Sequence, residues 1–137
     1  DILKLSEEQS LLLDDPNLEP DTFEKNVNRK AALIDKLEQL DTGFESLYDK
    51  VKEELESNRD IHKEQIRQMQ ELIRALTELN MQIQATEARN KEKATAKFAY
   101  IRQQAKEIRS SQKIVKEYYN NMMHKAYNEP HFLDNKK

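Results

Sequence analysis

Between Pro20 and Pro130 the chain carries no proline and a single glycine, Gly43. A backbone that Gly and Pro do not turn runs in long regular elements. Strand-type alternation is hard to find there, while Glu, Lys, Gln, Leu, Ala and Arg dominate, all of them good helix formers. From Phe23 the apolar positions are Val27, Ile34, Leu37, Leu40, Phe44, Leu47, Val51 and Leu55. Leu37 to Val51 advances in alternating steps of three and four, the seam of a coiled coil. Gly43 falls inside that seam without disturbing its phase, so it reads as a tolerated helical residue at a cost of about 1 kcal/mol relative to Ala.

A second seam keeps a seven-residue beat through Ile66, Ile73, Asn80, Glu87, Ala94, Ile101, Ile108, Val115 and Met122. Between the two lies the polar stretch "ESNRD" at 56–60, where Asn58 can take a left-handed turn conformation and Ser57 or Asp60 can cap. Ahead of both, "ILKLSEEQSLLL" makes a short helix that "DDPNLEP" stops, after which Asp21 and Glu24 have capping-box spacing. The expected architecture is all-α and coiled-coil-like: an antiparallel helical hairpin or three-helix bundle with a very long C-terminal helix. Its parts are a short helix at 1–13, a second at 21–57, a third at 60–125 and a tail at 126–137, all in one domain spanning 1–137. If the chain reverses near Asn58, residues whose numbers sum to about 117 face each other. Val51 then meets Ile66, Phe44 meets Ile73, Ile34 meets Ile83, Phe23 meets Ala94, and Lys30 meets Glu87 with opposite charge. The first helix runs back alongside this hairpin. The competing arrangement, one helix of about 100 residues, would need a partner along all of its roughly 150 Å.

Composition narrows the function. With 36% charged and 36% hydrophobic residues, the chain has little material for a thick core and matches long-helix proteins. No run approaches the ~18 apolar residues of a membrane span. There is no Cys, and no Asn opens an N-x-[ST] acceptor, which fits a reducing cytoplasm. His62, His124 and His131 lack metal-ligand spacing, and a single Gly permits no phosphate-binding loop. No enzyme, metal or cofactor is expected. The polar seam residues Asn80, Glu87 and Asn90 read first as register control and second as a hinge around "ATEARNKEK".

Charge is split. Residues 1–58 hold 16 acidic and 7 basic side chains, and residues 59–137 hold 10 and 16. Nine Lys and Arg fall between Arg89 and Lys116 against Glu92 and Glu107, but a pI near 5.7 is far from the usual footprint of a nucleic-acid binder. The acidic half can neutralise them within the chain or in a dimer. What the hairpin leaves over is an apolar stripe on residues 98–122, formed by Phe98, Ile101, Ala105, Ile108, Val115, Tyr119 and Met122. Those residues would extend about 35 Å past the rest of the chain. The stripe is core reached by a kink, a homodimer seam, or a site where another protein's helix docks. "KEYYNNMM" favours docking, because adjacent tyrosines and adaptable methionines suit recognition.

The sequence "EEQSLLL", then "RKAALIDKLEQLDTGFESLYDKVKEEL", then "LTELNMQIQATEARNKEK", "YYNN" and "FLDNKK", resembles flagellar export chaperones of the FlgN/FliT type from Gram-positive bacteria over nearly its whole length. The resemblance implies a cytoplasmic chaperone for type III secretion that holds the C-terminal segment of a hook–filament junction client through its last helix. Carried over by position, the partner-binding residues are Phe98, Ile101, Ala105, Ile108, Val115, Tyr118, Tyr119 and Met122. The alternative is a dimeric structural or regulatory coiled-coil protein with the same stripe buried in a homodimer.

Overall fold

The computed structural model describes the backbone of residues 1–128 and the side chains of residues 1–122. It contains three helices, α1 (Ile2–Asp14), α2 (Pro20–Ser57) and α3 (Lys63–Asn128), and no strand among the described residues. The architecture is all-α, with a 66-residue C-terminal helix. The third helix expected to end at 125 runs on through Asn128, and the rest of the tail expected at 126–137, residues 129–137 with Pro130 and His131, lies outside the described part. The chain divides into two compact units, Asp1–Thr95 and Ala96–Lys137.

In the first unit, local chemistry sets the helix ends. Asp15 is extended, as a residue before proline must be, and its carboxylate accepts the Asn17 amide at 2.8 Å. α2 starts one residue ahead of the expected Asp21 cap. Pro20 occupies its first turn and Glu19 stands at the cap without a side-chain bond, because proline's fixed φ suits that position and its missing N–H is no loss there. The reversal after Ser57 also differs from expectation. Asn58 has φ −123°, and no described residue has positive φ. A right-handed turn forms in which the Asn58 carbonyl accepts the amides of Ile61 and His62. The Glu54 carboxylate ties the turn from below, accepting Asn58 Nδ2 at 2.9 Å and meeting His62 Nε2 at 3.2 Å.

α2 and α3 run antiparallel, as two contacts show: Lys30 Nζ with Glu87 Oε1 at 2.5 Å, and Glu54 with His62. The charged pair expected from the register is therefore present. The seam itself differs over its first three turns. Phe23, Asn26, Lys30 and Leu33 turn inward, while Val27 and Ile34 are exposed. These inward positions extend the three–four rhythm of Leu37, Leu40, Phe44 and Leu47 back to the helix start, and two of their occupants are polar.

α1 closes that end. Its contacts on α2 advance from Leu5–Asn26 to Gln9–Lys30, and on α3 from Ser6–Glu87 to Asp14–Lys93. Since α2 and α3 point in opposite directions, α1 cannot align with both, so it lies across the hairpin rather than alongside it. The layer beneath it is hydrophilic: Leu5 and Leu13 are the buried apolar side chains, against Ser6, Gln9, Asn26, Lys30, Thr86 and Asn90. Asn26 donates to the Leu5 carbonyl, and Asn90 donates to the Ser6 carbonyl and to Gln9 Oε1. Lys30 also donates to Gln9, and the Ser6 hydroxyl donates to Glu87. Burial pushes the Glu87 carboxyl up, but hydrogen bonds from Lys30 and Ser6 and the Lys30 charge together leave it below the usual carboxylate range. Glu87 and Asn90 thus hold α1 to α3, which is continuous helix through "ATEARNKEK".

Candidate partner-binding surface

In the second unit, residues 98–122 are continuous helix, and every residue of the expected site is on it and exposed. Phe98, Ile101, Ile108, Val115, Tyr118, Tyr119 and Met122 keep between 44% and 63% of their surface in solvent, and Ala105 is exposed with them. Helical spacing puts Ile101, Ile108, Val115 and Met122 on one line at seven-residue intervals, with Phe98, Ala105 and Tyr119 along one flank. At the intervening three–four positions stand Gln104 and Ser111, which narrow the stripe to a single apolar line in its middle. A shallow concavity follows that line between Gln104, Glu107, Ile108, Ser111, Gln112 and Val115. Tyr118 and Tyr119 pack edge to face with ring centroids 6.0 Å apart, a preferred geometry that fixes two broad surfaces at the end of the stripe.

The margins of the stripe are basic. Arg102, Lys106, Arg109, Lys113 and Lys116 accompany it, with Glu107 and Glu117 as the acidic residues of the same stretch. Three side chains here bond to groups four residues away: Arg102 Nε to the Phe98 carbonyl, Gln103 to Glu107, and Gln104 to the Tyr100 hydroxyl. Such short-range bonds leave the cationic groups of Lys106, Arg109, Lys113 and Lys116 facing solvent.

A second apolar surface, which the seam pattern alone assigned to the interior, lies on the first unit. Ile34, Leu37, Leu40, Phe44, Leu47, Tyr48 and Val51 are between 37% and 62% exposed. Two helices alone cannot enclose a seam, and α1 covers just the end of this one. The Phe44 and Tyr48 rings stack at 6.1 Å on that face. Glu38, Asp41 and Glu45 lie beside them, also exposed.

Among the described residues no group of three or more His, Asp or Glu side chains is placed to hold a metal ion. His62 is engaged with Glu54 at the turn. No described helix is long and apolar enough to cross a membrane. Compared with protein-family models, with curated proteins and with solved structures, the chain matches none.

Proposed function

We propose that the protein is a holdase whose C-terminal helix takes an amphipathic helix of another protein onto the stripe from Phe98 to Met122. Its resemblance to export chaperones of the FlgN/FliT type names the client class: the C-terminal segment of a hook–filament junction protein, kept in the cytoplasm and passed to type III secretion. The observation that carries this reading is the exposure of every large apolar side chain of the stripe along 25 residues of helix. A helix laid on it with anchors at i, i+3 and i+7 covers the apolar line while its own polar face stays wet. Burying about 600 Å² of apolar surface contributes on the order of 15 kcal/mol gross. Ordering a disordered segment and losing translational freedom offset most of that, giving a reversible complex suited to delivery.

The test is Ile108→Asp. Ile108 is more than half exposed, so the substitution costs the fold within about 0.5 kcal/mol. Circular dichroism should be unchanged, and calorimetric titration with a junction-protein C-terminal peptide should show affinity reduced at least tenfold. Unaltered peptide binding, or none by the parent protein, would end the proposal.

A further inference from the structure

We infer that a second copy of this chain docks its basic stripe on the acidic face of α2, so that two copies cover each other reciprocally. Residues 34–57 of α2 carry eight acidic and three basic side chains, and residues 98–122 of α3 carry two acidic and five basic. The complementarity extends to spacing. On the α2 face, Glu38 and Glu45 stand seven residues apart beside Leu37, Phe44 and Tyr48; on the stripe, Arg102, Arg109 and Lys116 stand seven apart beside Ile101, Ile108 and Val115. Both surfaces thus present an apolar line edged by charge at the same period, with opposite signs. Glu38, Asp41, Glu45, Arg109 and Lys116 form no ion pair among the described residues.

Stripe on stripe is disfavoured, because it sets five cations of one copy against five of the other with few acids between. Stripe on hairpin has no such conflict. It also answers to size: seven hairpin side chains and the stripe that meets them, each about half exposed, withdraw on the order of 1,500 Å² from water, the area of a stable interface. Two-fold symmetry repeats the contact and leaves neither surface over. The inference does not rest on the client reading, although both use the stripe.

A charge exchange tests it. Light scattering of the wild-type chain should give twice the 16.3 kDa protomer mass, falling toward one protomer as salt is raised. Arg102→Glu with Arg109→Glu, and separately Glu38→Arg with Glu45→Arg, should each weaken self-association at least tenfold while circular dichroism is unchanged. Mixed in equal amounts the two variants should pair, since each contact in the mixed dimer is again of opposite sign. A monomeric wild type, variants that associate like it, or a mixture that stays monomeric would overturn the inference. The hairpin variant keeps its stripe intact, so loss of client binding in the parent and loss of pairing in the mixture are separate results.

Discussion

Lys30 and Glu87 fall opposite each other when the two heptad seams run antiparallel, and they form a direct ion pair. The two ends of that pair are not equivalent. The Lys30 side chain is about nine-tenths buried, while Glu87 reaches solvent with 40% of its side chain. Removing the acid therefore strands a buried ammonium with Gln9 as its remaining partner, whereas removing the base leaves a carboxylate that water can reach. We expect Glu87→Ala to lower stability in urea by about 2 kcal/mol, after allowance for solvent screening, and Lys30→Met to cost less. Because the folded Glu87 carboxyl sits below its ordinary range, its contribution is complete above that range and fades as pH falls through the folded value. The gap between wild type and Glu87→Ala should accordingly narrow in acid. The neighbours Ser6, Gln9 and Asn26 were not visible in the sequence. A polar residue at an inward position leaves no apolar mark, so the apparent seam slipped to Val27 and Ile34.

For the helices, periodicity and breakers gave the number and order of elements, but their ends depend on details that patterns do not resolve. Pro20 displaced the Asp21 cap, and Glu54 rather than a left-handed Asn58 shapes the turn. The crossing of α1 was equally hidden, because it follows from which polar groups pair. Gly43 behaves as its place in the seam suggested: its φ is negative, and a Cβ built there meets nothing within 4 Å. With no conformational or steric reason for glycine, Gly43→Ala should stabilise the chain by about 1 kcal/mol through helix propensity alone. A rise in the urea midpoint at constant slope checks this. If a partner helix approaches closely at that point, the gain will shrink at protein concentrations where the dimer forms.

Across the whole molecule, fold class was legible because a 3.6-residue rhythm sustained over a hundred residues has one solution. The stripe was legible for the same reason. The acidic α2 face was not, since a seam drawn from sequence looks internal whether two helices share it or three. If that face pairs with another copy, dissociation is coupled to unfolding and the melting temperature should climb with protein concentration. The Glu38→Arg, Glu45→Arg variant should melt at a temperature independent of concentration. The layer under α1 hides amides, hydroxyls and an ion pair where most proteins hide hydrocarbon. Exposing polar groups lowers heat capacity where exposing apolar ones raises it. The monomeric variant should therefore unfold with an increment well under the usual ~12–15 cal/mol/K per residue. Its stability would then vary gently between cold and heat, a flatter curve than a hydrocarbon core gives.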